Sequence, residues 1–422
     1  MSYPATAPVL YAVWVNGVPY NSSTTVPWIA DCQIEQSFGK HDLVHLRIEY
    51  PWIYNYTNMS IWPDDTPIAI LWGRKPDTRW WYGYVNHKEI KKESDSGNKS
   101  LQITYVCIGT SAVMNTDVNR RWEQVSPTYI AKKIAREHNM RAIVTPLKVP
   151  STVNTAWILE YEVQANESDF CFLNRVANKC GLRFWCSGGT LYMVDPSVTI
   201  QGAGSSVPPV YYANKDLRFQ DTCRQFEIMK GKNLPGSVYA NRVLYGIDAN
   251  SGKLYTAVSN PPPPSPGVVV PMGQTRTHIK TDIPVNSYQD AAHKLKAWAR
   301  LSQHWVSASA QLFGTTNIYP GKLVDLEGSA LPDGASGIWL VTCAEHLLRW
   351  SGTTNPSLDR YMTNVELVRN SEDAAGSKML LRGIVPPITP ETNSMHLVGQ
   401  NPQPRLWAAD TQEVISLDVN EY

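Results

Sequence analysis

Short runs in which apolar and polar residues alternate open the chain. Val9 to Val15, His45 to Tyr50, Ile68 to Trp72, Trp80 to Val85 and Leu101 to Ile108 carry them, separated by turn material such as Asn16-Gly17, Asp64-Asp65 and Asp95-Ser-Gly97. A period of two places alternate side chains on one face of a strand, and short strands at this spacing predict a β-barrel or sandwich. In the last run Leu101, Ile103, Tyr105 and Cys107 share one face. Trp80, Trp81, Tyr82 and Tyr84 are good strand formers and are read as packing rather than as a sugar platform.

The period then lengthens to that of a helix. Ser126-Pro127 reads as an N-cap followed by proline at the first helical position, and Thr128 to His138 places Ile130, Ala131, Ile134 and Ala135 on one stripe. A second helix starts at Ser168 with Asp169 in its first turn. Phe172, Leu173, Val176 and Ala177 form its apolar face, and Gly181 is a natural stop. Leu182 to Cys186 and Thr190 to Val194 then make a hairpin around Ser-Gly-Gly. Residues 111–205 therefore form a small α/β insert, closed by the Gly/Ser/Pro-rich linker Gln201 to Pro209.

Strands return from Tyr211, at Arg218 to Gln220, Phe226 to Lys230, Val238 to Gly246 and Lys253 to Val258, before the Pro-rich loop Pro261 to Pro266. One helix spans Ser287 to about Gln303, with Tyr288, Ala291, Ala292, Leu295, Trp298 and Ala299 at helical spacing. Ser307 to Phe313, Leu323 to Glu327, Gly337 to His346 and Tyr361 to Arg369 are strand-like. The expected fold class is α+β, mainly β: β-barrel domains at residues 1–110 and 206–370, the second with one helix, and the α/β insert at 111–205 between them. The C-terminal extension, 371–422, is weakly patterned and is expected to dock on a neighbour or to fray.

Composition narrows the function. A length of 422 residues exceeds one ordinary core, and 43% apolar residues suffice to fill several. The 38 basic and 37 acidic residues nearly cancel, so no face is built to neutralise phosphates. A pore that merely lets nucleic acid pass needs none. The 15 Trp and 21 Tyr, against 7 Phe, suit half-buried strand faces and subunit interfaces. Met1 to Val9 is short and Pro-broken, and no apolar stretch reaches the ~20 residues of a membrane helix. The expectation is a product made in the cytoplasm, without stable membrane insertion.

Catalytic patterns are missing from the sequence. There is no H-E-x-x-H, no G-x-S-x-G and no Walker A loop. Gly202-Ala-Gly204 lies in a linker without strand–helix context. Glu345-His346 sits in a strand, so its side chains point to opposite faces. Glu137-His138 ends a helix, where a cationic His interacts with the dipole. Asp64-Asp65 and Glu93 with Asp95 lie in turn-like stretches, where Asp forms turn hydrogen bonds. Cys171, Cys180 and Cys186 lack zinc spacing, and all seven cysteines read as reduced thiols. No catalytic, cofactor-binding or metal residue is proposed, and the chain is read as not an enzyme.

Two stretches carry a family resemblance. Ala165-Asn-Glu-Ser-Asp-Phe-Cys-Phe-Leu-Asn-Arg-Val-Ala-Asn-Lys-Cys-Gly-Leu, followed by the Gly-Gly hairpin and Thr190 to Pro196, resembles the "S/T-D-x-x-F-L-x-x-L/V-A-x-x-x-G-L" module of phage baseplate hub proteins. That family includes the late control D-type tail proteins and the hub part of type VI secretion spikes. Ser126 to His138 matches the helix that precedes the module. Pro320-Gly321-Lys-Leu-Val-Asp-Leu-Glu-Gly, Gly337-Ile-Trp-Leu-Val-Thr-Cys-Ala-Glu-His and Tyr361-Met-Thr-Asn-Val-Glu-Leu are similar to the end of the family's second barrel. These motifs mark strand faces and a turn, not chemistry.

The resemblance implies two tube-like β-barrel domains per chain and a homotrimeric ring. The ring would join the distal tail or tail tube proteins and the tape measure protein to a central tip or fibre protein. DNA would pass its lumen without specific binding, and no cofactor is implied. No β-helical spike region follows, which assigns piercing to another protein. The alternatives are a tail-associated cell-wall hydrolase, for which no catalytic domain is recognisable, and a receptor- or carbohydrate-binding tail protein using the Tyr54, Tyr56, Trp62 and Trp72 region.

Overall fold

The computed structural model describes residues 9–20, 28–50, 61–74, 77–95, 98–147, 157–195, 209–211, 223–230, 241–248, 251–259, 277–302, 306–327, 331, 335–349, 361–369 and 388–390. Seven strands come first: β1 (Val9–Val15), β2 (Val18–Pro19), β3 (Trp28–Ser37), β4 (Leu43–Tyr50), β5 (Pro67–Arg74), β6 (Asp77–Asp95) and β7 (Asn98–Gly109). The insert adds β8 (Asp117–Val125), α1 (Pro127–Glu137), β9 (Arg141–Val144), β10 (Leu159–Ser168), α2 (Asp169–Cys180), β11 (Arg183–Ser187) and β12 (Thr190–Val194). The rest comprises β13 (Pro209–Tyr211), β14 (Cys223–Lys230), β15 (Asn241–Ile247), β16 (Leu254–Ser259), β17 (Thr277–Pro284) and α3 (Tyr288–Ser302). It closes with β18 (Val306–Phe313), β19 (Leu323–Glu327), β20 (Gly337–Arg349), β21 (Tyr361–Arg369) and β22 (Ile388–Pro390).

Alternation builds the strands as expected. Along β4, Val44, Leu46, Ile48 and Tyr50 are buried while His45, Arg47 and Glu49 keep partial contact with solvent. Thirteen strands join in one sheet, paired in the order β14-β18-β21-β20-β3-β4-β7-β6-β5-β1-β2, with β19 added on β20 and β13 on β19. The chain is thus mainly β. The early and late β regions are continuous, because β20 pairs antiparallel with β3 from Cys343 opposite Ser37 to Arg349 opposite Asp31. Two cores lie on this sheet. One gathers Ile34, Leu46, Ile70, Trp72 and Ile103 together with Leu348 and Tyr361 from late strands. The other gathers Val306, Leu312, Val324, Trp339 and Leu367.

The insert has its own core. Beta strands β11, β12 and β9 form a small sheet in which β12 and β9 run parallel, and β8 pairs antiparallel with β10. Helices α1 and α2 bury Ile130, Ile134, Phe172, Leu173 and Val176 against Phe184, Leu191 and Met193. Their ends follow the expected cap chemistry. The Ser126 hydroxyl accepts from the Tyr129 amide, the Ser168 hydroxyl accepts from the Cys171 amide, and Gly181 takes φ +73°.

Residues 206–370 were expected to form one barrel with a helix, and they divide further. Strands β15, β16, β17 and β22 make a separate four-stranded sheet. On it α3 buries Ala291 and Leu295 against Leu244, Ala257 and Val285. A helix with an apolar stripe needs a sheet face of its own to cover, and these strands supply it. The Ser287 hydroxyl, as expected, starts that helix by accepting from the Asp290 amide at 3.1 Å. Of the C-terminal extension, residues 388–390 pair with β16 of the same chain and satisfy its otherwise open edge.

The two α/β modules meet where the end of α2 reaches α3. A Cβ on Gly181 would lie 2.6 Å from the Ala297 Cα. Pro209, expected to close a linker, begins β13 and pairs in parallel with Asp325. The Pro261 to Pro266 loop and the Arg218 to Gln220 run lie outside the described residues. Among the described residues, no helix is long and apolar enough to cross a membrane.

Candidate functional site

The sequence candidates resolve one by one. Asp64 stands on a turn, 2.9 Å from the Lys88 ammonium, and Asp65 has φ +63° with its amide donating to the Val85 carbonyl. Glu93 and Asp95 do not lie in a turn: β6 runs on through both, opposite Ser100 and Asn98. Glu345 and His346 do face opposite ways. Glu345 accepts from Gln33 and Asn364, whereas His346 is fully buried against Trp72, with Nδ1 3.1 Å from the Thr363 hydroxyl. Burial pushes the His346 imidazole down to about 3, so it packs as a neutral ring.

Glu137 and His138 converge on a cluster that adjacency alone does not reveal. Asp169 is almost fully buried and accepts from Gln164 at 2.8 Å and from Arg120 at 3.2 Å; His138 Nε2 lies 2.8 Å away. Arg120 also reaches Glu137 at 2.6 Å. Further along α2, Arg175 and Lys179 extend to the buried carboxylate of Glu162 on β10. The Asp of the Ser168-Asp169 pair therefore anchors α2 to β8, α1 and β10, a structural duty that explains its place in the motif.

The seven cysteines are all free thiols; Cys32, Cys107, Cys180, Cys186 and Cys223 are buried and Cys171 is exposed. Burial pushes the Cys107 and Cys180 thiols up to about 12, which keeps them protonated and unreactive at neutral pH. Among the described residues no group of His, Cys, Asp and Glu is arranged to hold a metal.

The aromatic candidates also separate. Trp62 and Trp72 are buried core residues, Trp62 stacking on Tyr105 at 4.3 Å, while Tyr54 and Tyr56 lie outside the described residues. The Trp80 to Tyr84 run, expected to pack throughout, splits by strand parity. Trp81 is buried, but Trp80 and Tyr82 are 41% and 43% exposed; Trp80 stacks on Tyr82 and meets Trp14 at a tilt.

A polar row crosses the large sheet where the early and late β regions join. Register places Gln225, Gln311, Asn364, Glu345 and Glu35 side by side on β14, β18, β21, β20 and β3. Gln311 Nε2 donates to Asn364 Oδ1 at 3.1 Å, and Asn364 Nδ2 donates to Glu345 Oε2 at 2.7 Å. Gln33 donates to the other Glu345 oxygen at 2.5 Å. With Ser309 and Glu366, this row lines a depression of about 420 Å³ across the join between the two β regions. Sequence reasoning passed over these residues. Their polar alternation within each strand was visible, but the pairing of strands more than 300 positions apart was not.

The row carries carboxylates, amides and a hydroxyl, and the Cys343 thiol beside it is pushed up to about 11, chiefly by burial; the carboxylates disfavour phosphate there. Sheet, inserts and face together define a scaffold built around surfaces. The chain belongs to the phage tail baseplate hub (GPD) family, whose model matches residues 59–352. The fold is similar to a tail protein from Neisseria meningitidis MC58, at 12% identity and TM-score 0.56, over 87% of this chain and 99% of that one. It is similar to the 43 kDa tail protein of prophage MuSo2 from Shewanella oneidensis, at 14% identity and TM-score 0.56, over 86% and 99%. An E. coli component of the type VI secretion system matches at 11% identity and TM-score 0.51, over 86% of this chain and 78% of that one. No curated protein matches the chain.

Proposed function

We propose that this chain is the structural hub of a phage tail tip. Three copies form a ring that joins the tail tube to a central tip or fibre and lets DNA pass during ejection. The observation that carries this reading is the polar row that runs from β14 to β3, across the join between the two β regions. Turned inward, it lines the lumen with Glu35, Glu345 and Glu366 among amides and hydroxyls, so that a moving polyanion meets like charge and finds no binding site. The exposed Trp80 and Tyr82 of β6, with the half-buried Trp14 of β1 against them, form a row that the neighbouring copy covers. The distal tail or tail tube proteins, the tape measure protein and the tip protein are the remaining partners. The role is non-enzymatic: the chain is made in the host cytoplasm and works in the virion.

Light scattering of the purified full chain, with negative-stain images of the same sample, tests this. The expected result is a trimer with a central hole. A monomer both alone and in the presence of its tail-tube neighbour overturns the ring.

A further inference from the structure

The seam between the two α/β modules holds a second, smaller cavity of about 220 Å³. One face of α3 supplies its charge. His293, Lys296 and Arg300 stand at i, i+3 and i+7, a spacing that puts all three on one side of the helix. The opposite wall comes from the insert, with Trp157, Leu147 and Asp195. The His293 ring stacks flat on Trp157, centroids 4.5 Å apart and planes 7° from parallel, which fixes its orientation. It is only 6% exposed, and its Nε2 has no hydrogen-bond partner. Buried polar atoms are nearly always paired, so an orphan lining a cavity marks a place for a bound group.

The charge balance tells which kind of group. Arg300 is already held by the buried Asp195 at 3.2 Å. Lys296 has no ion-pair partner among the described residues, and with Arg300 beside it the pocket carries two cations against one carboxylate. A metal ion does not fit a pocket of that sign, and no three-donor set is present among the described residues. We infer that this seam is a binding site for a small oxyanion, phosphate or the carboxylate of a small organic acid, which accepts from His293 Nε2–H and from the Lys296 ammonium. The electrostatics agree. Burial, with Lys296 and Arg300 nearby, pushes the His293 imidazole down to about 3, so it stays a neutral donor. Burial and Arg300 also lower the Lys296 ammonium, only partly offset by Asp195. An anion relieves both cations, and it ties α3 to the insert.

The test is calorimetric titration of the full chain with inorganic phosphate and, separately, with acetate, in a chloride buffer. The ring resonances of His293, assigned by their loss in His293→Asn, are followed in parallel. The expected result is saturable binding of one of the two anions, a shift of the His293 resonance, and about tenfold weaker binding in Lys296→Gln, the loss of one charge-assisted hydrogen bond. Arg121→Gln, on the exposed face of the insert, is expected to bind as the wild type does. Phosphate alone or acetate alone identifies the source. No heat and no His293 shift with either anion, or equal binding by a folded Lys296→Gln chain, overturns the site.

Discussion

At the residue scale, Asp42 shows how strongly the fold changes a side chain's chemistry. It is buried where the large sheet meets the insert, and it accepts from Gln36, whose amide also reaches Ser187 across the join. Burial lifts its carboxyl to about 7. The folded chain then binds this proton more tightly than the unfolded chain does. Stability is complete below the unfolded value of about 4, falls as pH rises toward 7, and is level above. At about 1.4 kcal/mol per unit, the loss is on the order of 4 kcal/mol. Asp42→Asn removes the ionisation, so its stability relative to wild type should rise by about 3 kcal/mol between pH 5 and pH 8. Urea denaturation at both values measures this; parallel pH profiles for the two chains would show that Asp42 ionises without penalty.

At the scale of elements, the end of α2 does two jobs with one glycine. Gly181 takes a left-handed conformation, and it lets the backbone of α3 approach within the space a Cβ would fill, 2.6 Å from the Ala297 Cα. Gly188, in the hairpin turn, has φ +58° with open space around it. The pair separates conformational strain from packing. Gly188→Ala should cost about 1 kcal/mol for the left-handed backbone alone. Gly181→Ala should cost about 3 kcal/mol, because α3 must also move. Thermal or chemical unfolding of the two variants measures the difference, and equal losses would mean that the seam yields freely. The strand with the least visible pattern is the one that joins the halves. In β3 the inward positions are Ile29, Cys32, Ile34 and Gln36, with a bulge between Ile29 and Asp31, so its alternation is irregular and partly polar.

For the whole molecule, the exposed aromatic row gives the sharpest handle on assembly. Trp80 and Tyr82 stand on the solvent side of a strand whose other side is fully packed by Trp81 and Val85. Replacing both with serine removes no core contact. Within the proposed ring, Trp80→Ser with Tyr82→Ser should shift the oligomer toward monomer at micromolar concentration while the far-ultraviolet circular dichroism stays unchanged. Analytical ultracentrifugation of the double variant decides it: an unaltered trimer places the subunit interface elsewhere on the sheet.

The strands with strict alternation, the three capped helices and the hairpin turns were all written in local patterns, because burial on one face and cap hydrogen bonds act over a few residues. The family motifs were legible for the same reason, with Ser168, Asp169 and Gly181 acting near their place in the chain. Tertiary structure alone decided what lies opposite what. It joined β3 to β20, gathered β15, β16, β17 and α3 into a module of their own, brought Arg120 and His138 to Asp169, and set His293 against Trp157. Those contacts link positions far apart in sequence, and their energy comes from mutual burial and paired charge. A single chain segment carries no mark of its partner, so the polar face and the seam exist only once the sheets and modules have closed on one another.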